Sequence, residues 1–136
     1  MRFTLSRWTV LPMATAGLLV GAAVVASFAR SERQQKVNVA GALTGGDPTR
    51  APSLIRRYGC AGCHTISGIP GGDGQVGGSL DGLRARVYIA GVASNTPDHL
   101  VQWIVTPQTF SPRTAMPATG ITEAEARDVA AYLYAQ

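Results

Sequence analysis

The sequence predicts an all-α domain over residues 50–136, preceded by one apolar N-terminal helix. Two observations lead to this fold class. Three segments carry the residues that begin and end α-helices, and the glycine-rich stretch 65–95 between them lacks the alternation of apolar and polar residues that marks a strand. A chain of 136 residues with 46% hydrophobic content is long enough for one compact domain and too apolar to be disordered.

The N-terminal segment predicts a membrane anchor. Residues 11–29 carry no charge, and basic residues flank them on both sides. As a helix they would extend about 28 Å, close to the thickness of the hydrocarbon core of a bilayer. We interpret residues 1–30 as a signal anchor or transmembrane helix, with a secretory signal cleaved at Ala29 as the alternative. Both interpretations place the C-terminal domain on the outer face of the membrane.

The remaining elements follow in order along the chain. Residues 31–49 are polar, contain glycine and proline, and predict a flexible linker. Residues 52–58 begin with proline and predict a first short helix. A second helix is expected to begin after Thr96 as N-cap and to end before Pro107. A third begins at a capping box, Thr122 with Glu125.

The charge distribution argues against binding of nucleic acid. The formal net charge is +4 at pH 7, and the excess lies entirely within residues 1–36. From Val37 onward, the charge of seven arginines is balanced by that of seven acidic residues. A neutral domain without a cluster of lysine or arginine has little means of holding a phosphate backbone.

The sequence Cys60-Ala61-Gly62-Cys63-His64 is the one strong motif of the chain. The CxxCH pattern is the attachment site of haem c. Two thiols three positions apart can form thioethers with the two vinyl groups of one porphyrin, and the following His64 can bind the iron. The three short helices and the long loop offer a poor apolar core, and a haem at the centre would supply the missing apolar volume.

Two cysteines at this spacing also occur at sites without haem. A zinc site would need Cys60, Cys63, His64 and His99, but neighbouring residues cannot easily face one tetrahedral centre. A thioredoxin-like redox pair would need a βαβ pattern, which the sequence lacks. A simple disulfide, or two buried thiols without function, is the remaining alternative.

Met116 is the candidate for the second axial ligand of the iron. It is the only methionine beyond the N-terminal segment, and it lies between Pro112 and Pro117 in a loop that stiffens its presentation. A methionine is otherwise most often a core residue. His99, the other histidine outside the motif, is expected on the surface near the start of the second helix. A thioether ligand would favour the ferrous state.

The order of these segments resembles class I cytochrome c over residues 49–136. RRYGCAGCHTISG and TAMPATGITEAEARDVAAYLY are similar to segments of the membrane-anchored monohaem cytochromes c of bacterial respiratory chains. The resemblance implies three to four short helices around one haem c, bound through Cys60 and Cys63. It implies that the first and last helices pack together, with Tyr58 meeting Tyr132 or Leu133.

The resemblance also implies residues that surround the haem. In the family a Gly-Pro-x-Leu stretch offers a carbonyl to the proximal histidine; here the match is Gly77-Gly78-Ser79-Leu80, and the proline is absent. The Gly78 carbonyl is the expected acceptor, in a more flexible loop. Arg86 matches a propionate-binding position or lies free on the surface. Trp103 is a core residue, with a propionate hydrogen bond as the alternative.

The predicted function is that of a single-electron carrier, not an enzyme with a small-molecule substrate. It would be tethered to the bacterial inner membrane with its haem domain in the periplasm. The expected partners are a quinol:cytochrome c oxidoreductase as donor and a terminal oxidase as acceptor. Two alternatives stay open: a fixed haem subunit of an oxidase or periplasmic dehydrogenase complex, and a haem enzyme or gas sensor with an open sixth coordination position.

Overall fold

The computed structural model describes the backbone of residues 7–136 and the side chains from residue 17 onward. Within this range the chain is mostly helical, as predicted. The helices are α1 (Arg7–Thr44), α2 (Ala51–Arg57), α3 (Pro97–Val105) and α4 (Glu123–Ala135). A hairpin of two short antiparallel strands, β1 (Tyr88–Ile89) and β2 (Ala93–Ser94), interrupts the long loop between α2 and α3. Single 3-10 turns lie at Cys60–Gly62, Leu83–Ala85 and Pro107–Thr109.

The predicted caps of α3 and α4 are confirmed. The Thr96 hydroxyl accepts a hydrogen bond from the His99 amide, and Pro97 opens α3. At α4 the Thr122 hydroxyl accepts from the Glu125 amide, while the Glu125 carboxylate accepts from the Thr122 amide. Each cap satisfies amide groups that the first turn of a helix leaves without a partner.

The core of the domain forms where α4 packs against α2 and α3. The packing of the first and last helices of the domain is the arrangement that the resemblance implied. Apolar residues of all three helices are buried there: Ala51, Leu54, Ile55, Leu100, Val101, Trp103, Ile104, Ala126, Val129, Ala130 and Leu133. Helix α2 precedes the CxxCH motif, and α4 follows the loop of Met116. The cluster therefore fixes one end of each of these two segments.

The prediction of a flexible linker over residues 31–49 is wrong for its larger part, because α1 continues to Thr44. Residues 32–36 are glutamate, arginine, glutamine and lysine, which favour helix when nothing interrupts them. The helix ends where Gly45 adopts a left-handed conformation with φ of 69°. Composition alone indicates a linker because these residues form no apolar stripe.

The end of α1 is held against α4 by specific polar contacts. Thr44 is 1% exposed, and its backbone carbonyl accepts a hydrogen bond of 3.0 Å from the Arg127 guanidinium. The buried Asp128 carboxylate accepts from the Asp47 amide at 2.7 Å and from two nitrogens of Arg50 at 2.8 Å each. Residues 35–50 therefore belong to the structure of the C-terminal domain.

The chain forms two compact units, Met1–Gln34 and Gln35–Gln136. Across the side chains that the structure describes, none of the helices has a stretch both long and apolar enough to pass through a bilayer. The predicted span starts at Leu11, and its side chains over residues 11–16 lie outside the described range.

Gly46 tests the close approach of the α1 end to α4. A Cβ at this position would collide with the backbone carbonyl of Arg127 and would lie 2.6 Å from the Asp128 amide nitrogen. We expect Gly46→Ala to lower the free energy of unfolding by about 1–3 kcal/mol, the usual cost of overpacking. Urea unfolding measures the change. Gly62→Ala is the control, because a Cβ there meets no atom within 4 Å; equal losses in both variants would contradict the contact.

The capping box predicts a specific dependence of stability on pH. Hydrogen bonds from the Thr122 hydroxyl, and then from the Tyr58 hydroxyl, lower the pKa of Glu125. A depressed carboxyl pKa stabilises the fold above the unfolded value of about 4.3, and the stabilisation is lost as pH falls through the folded value. Glu125→Gln should therefore lower the melting temperature at pH 7 and have a progressively smaller effect below pH of about 4.

Circular dichroism melts from pH 7 to pH 3 measure this difference. Glu123→Gln is the matched control, because Glu123 lies in the same turn but forms an exposed ion pair with Arg127. A deficit of Glu125→Gln that stays constant over this range would contradict the prediction.

Candidate functional site

The CxxCH motif forms a single tight turn directly after α2. Gly59 has a φ of 71°, which lets the chain reverse into the 3-10 turn that begins at Cys60. The amides of Cys63 and His64 both donate to the Cys60 carbonyl, at 3.2 and 3.0 Å. Both thiols are free and half-buried. Burial raises the pKa of the Cys60 thiol.

The His64 ring is oriented by the glycine-rich loop that contains Gly77 and Gly78. Its Nδ1 atom lies 2.7 Å from the Gly78 carbonyl oxygen. A carbonyl can only accept a hydrogen bond, so Nδ1 is the protonated nitrogen that faces it, and Nε2 is the nitrogen left for a metal. The ring is thus prepared to coordinate a metal through Nε2, with the hydrogen bond from its other nitrogen that ligating histidines usually make.

Two glycines allow this loop to lie directly against the motif. A Cβ on Gly77 would collide with the His64 ring, at 2.6 Å from Nδ1. A Cβ on Gly74 would lie 2.6 Å from the Cys63 carbonyl carbon and 2.7 Å from the Ala61 oxygen. The Gly77 amide donates to the Cys63 carbonyl at 2.7 Å. Gly74 is not among the residues predicted from the sequence, although its place in a run of glycines is the available signal.

Met116 lies in the loop between Pro107–Thr109 and α4. Its side chain is partly buried and packs against the edge of the apolar core. The backbone of the residue is held at both polar groups, since its amide donates to the Thr114 hydroxyl at 3.2 Å and its carbonyl accepts from the side-chain amide of Gln108 at 3.0 Å. The residue is therefore presented from an ordered loop.

Arg86 and Trp103 each contact other parts of the protein, Arg86 the loop after Gly78 and Trp103 the apolar core. One terminal nitrogen of the Arg86 guanidinium donates to the carbonyls of Ser79 and Asp81, at 2.6 and 2.9 Å. Trp103 is 8% exposed and lies in the core, with its ring centroid 6.2 Å from that of Phe110. Arg86 thus contacts the loop of Gly78, and Trp103 has the core position that the sequence favoured.

The alternative sites receive no support from the described part of the chain. No group of three or more histidine, cysteine or acidic residues within it could hold a metal ion. The His99 imidazole is engaged elsewhere, with Nδ1 at 3.0 Å from the Ser94 carbonyl and the ring in a T-shaped contact with Phe110. The thiols of Cys60 and Cys63 are not joined to each other.

The donor set fits a covalently attached haem. The free thiols of Cys60 and Cys63 lie on one turn, and the imidazole of the following His64 has a nitrogen left for coordination. Gly77 and Gly78 carry no side chain that could cover this ring. The stretch between His64 and α3 also exposes four large apolar side chains to solvent. They are Val76 (82% exposed), Val87 (74%), Tyr88 (59%) and Val92 (50%).

These features define a c-type haem protein with a helical domain. The sequence profile of cytochrome c matches residues 49–135, and the chain therefore belongs to the cytochrome c family. Its cofactor is haem c, bound covalently through Cys60 and Cys63, and the class is that of class I cytochrome c. It is an electron-transfer protein rather than a catalytic enzyme. Searches among curated proteins and among solved structures give no significant match.

Gly77 and Gly78 form a matched pair for testing the site. Gly77→Ala should displace the His64 ring, because the new Cβ collides with it, whereas a Cβ on Gly78 meets no atom within 4 Å. We expect Gly77→Ala to lose the low-spin absorption spectrum of a haem with two strong axial ligands, and Gly78→Ala to keep it. Identical spectra of the two variants would contradict the placement of the ring.

Proposed function

We propose that this cytochrome carries single electrons at the outer face of a bacterial inner membrane, with its iron held between His64 and Met116. The observation that carries the proposal is the hydrogen bond from His64 Nδ1 to the Gly78 carbonyl, which leaves Nε2 to coordinate iron. Haem iron supplies the one-electron chemistry when bound. The chain's own residues orient the imidazole and present the thioether.

The choice of Met116 as second ligand is supported by its loop. The residue is half-buried, and the hydrogen bonds of its amide and carbonyl limit the movement of its backbone. His99, the other candidate, is engaged by the hairpin at Ser94. Saturation of the iron by two protein ligands would make small ligands compete poorly, which separates a carrier from a gas sensor or haem enzyme.

Substitution of Met116 tests this assignment. Met116→Ala should abolish the weak long-wavelength band that a sulfur ligand gives the oxidised haem, and should allow carbon monoxide to bind the reduced form readily. His99→Ala is the control and should leave both properties unchanged. Optical titration with carbon monoxide measures the outcome. If Met116→Ala keeps the band, or if His99→Ala removes it, Met116 is not the ligand.

The membrane tether rests on the sequence of residues 11–29, which are uncharged, and on the basic residues around them. The proposed donor is a quinol:cytochrome c oxidoreductase, and the proposed acceptor is a terminal oxidase. A tether confines the haem domain to a thin layer above the bilayer and raises its effective concentration toward such complexes.

Replacement of residues 1–34 by a cleavable secretion signal tests the tether. The boundary follows the first compact unit of the chain. We expect the haem-loaded domain to move from the membrane fraction to the soluble periplasmic fraction, with an unchanged absorption spectrum. The full-length chain is the control and should sediment with membranes after a high-salt wash. Retention of the truncated protein in the membrane fraction would contradict the proposed anchor.

A fixed haem subunit of an oxidase or dehydrogenase is the second candidate. The observation that favours it is the fixation of Thr44 and Asp47 on α4, which leaves fewer residues free between the N-terminal segment and the haem domain than the sequence suggests. Purification from membranes in mild detergent distinguishes the two. A fixed subunit would elute with partner chains at constant stoichiometry, whereas a carrier would elute alone.

A further inference from the structure

A basic turn follows directly on the apolar part of helix α1. Six large apolar side chains before this turn are exposed: Leu18, Leu19, Val20, Val24, Val25 and Phe28. Arg30 comes two residues after Phe28, and Arg33 and Lys36 follow at intervals of three. Exposed apolar side chains that end at basic residues are typical of the point where a helix leaves a bilayer.

The basic side chains of this turn have no acidic partner. Arg30, Arg33 and Lys36 are exposed, and none of them forms an ion pair within the part of the chain that the structure describes. Residues 30–36 contain three basic residues and one acid, Glu32, which leaves a net charge of +2, whereas residues 37–136 have no net charge. The turn is therefore the positively charged surface of the described chain.

The helix fixes the relative positions of these charges. Because α1 continues to Thr44, residues 30–36 are helical and not part of a flexible linker. Successive residues at a spacing of three are offset by about 60° around a helix, so the three cations lie within about a third of its circumference. Along the axis they extend over about 9 Å. We call Arg30, Arg33 and Lys36 the basic face of α1.

The phosphate layer of a bilayer lies within reach of the basic face. With residues 11–29 in the hydrocarbon core, Arg30 enters the headgroup layer, which is about 5–8 Å thick on each side. Lys36 lies about 9 Å further along the helix. Long basic side chains can extend back toward the headgroups while their stems cover apolar surface. All three cations can therefore contact lipid phosphates.

Lipid phosphates match the basic face better than other anions. A nucleic acid is a poor match, because residues 37–136 add no net positive charge to hold its backbone. An acidic protein would have to approach at the point where the exposed apolar stretch ends. Headgroup phosphates already lie at that point when the stretch is in the bilayer.

We propose that the basic face of α1 is a binding site for the phosphate groups of anionic phospholipids, which it gathers around the anchor. The inference rests on the proposed function, in which the N-terminal segment anchors the chain. Each basic residue near an anionic membrane surface strengthens binding about fivefold. The attraction is electrostatic, and salt therefore weakens it.

The test uses the full-length, haem-loaded protein in vesicles of equal parts phosphatidylcholine and phosphatidylglycerol. Electron paramagnetic resonance of spin-labelled lipids gives the fraction of each lipid that the protein immobilises, and hence the association constant of phosphatidylglycerol relative to phosphatidylcholine. We expect this ratio to be about five or more in the wild type. It should fall toward one between about 0.01 M and 1 M salt, as the Debye length decreases from about 30 to 3 Å.

Two sets of substitutions on α1 separate charge from shape. The triple variant Arg30→Gln, Arg33→Gln, Lys36→Gln should bring the ratio to about one, and it should keep the helix because glutamine favours helix about as well as lysine and arginine do. The double variant Arg30→Lys, Arg33→Lys keeps the charge and should keep the preference. An unchanged haem absorption spectrum verifies that each variant is folded.

A matched control removes the same charge elsewhere. Arg56, Arg84 and Arg113 are exposed and form no ion pair within the described residues. Replacing all three by glutamine should leave the lipid preference at its wild-type value.

Three results would overturn the proposal: an inserted wild-type protein without preference for phosphatidylglycerol, a preference that survives the triple variant of the basic face, or an equal loss in the matched control. Failure of the proposed anchor gives a different result. In that case the wild-type protein would not float with vesicles of either lipid in a density gradient.

Discussion

The hydrogen bond between His64 Nδ1 and the Gly78 carbonyl is the interaction on which the rest of the site depends. It selects one tautomer of the imidazole and therefore decides which nitrogen can meet the iron. It also forces the loop so close to the ring that residue 77 cannot carry a Cβ. The glycine at position 77 thus follows from this one contact, whereas Gly74 follows from the approach of the loop to Cys63.

The helical frame gives that contact its rigidity. Packing of α4 against α2 fixes the helix that precedes the turn of Cys60–Gly62. The hydroxyl of Tyr134 in α4 donates to the Asn95 side chain, whose amide group in turn donates to the Arg86 carbonyl. Helix α4 also binds the end of α1, because the Arg127 guanidinium donates to the Thr44 carbonyl. Helix α4 therefore holds both the turn of the CxxCH motif and the end of α1, although both lie far from it in the sequence.

Features set by local chemistry could be predicted from the sequence, and features set by distant contacts could not. The caps at Thr96 and Thr122 follow from residues within one turn of each other, and the CxxCH motif follows from a fixed spacing. Residues 31–36 are all polar and therefore predict a linker, whereas the burial of Ala40 and Thr44 at the end of the same helix depends on contacts with residues far along the chain. The partners of Arg86 depend on the course of a glycine-rich loop, which periodicity does not describe.

Covalent attachment of one haem to this chain is the central claim, and intact-mass spectrometry combined with a pyridine haemochrome assay measures it most directly. For the protein purified from a bacterium that matures c-type cytochromes, we predict a mass increase of one haem that survives acid-acetone extraction. The double variant Cys60→Ser, Cys63→Ser should lack it. A colourless wild-type protein, or a haem removed by the extraction, would contradict covalent attachment.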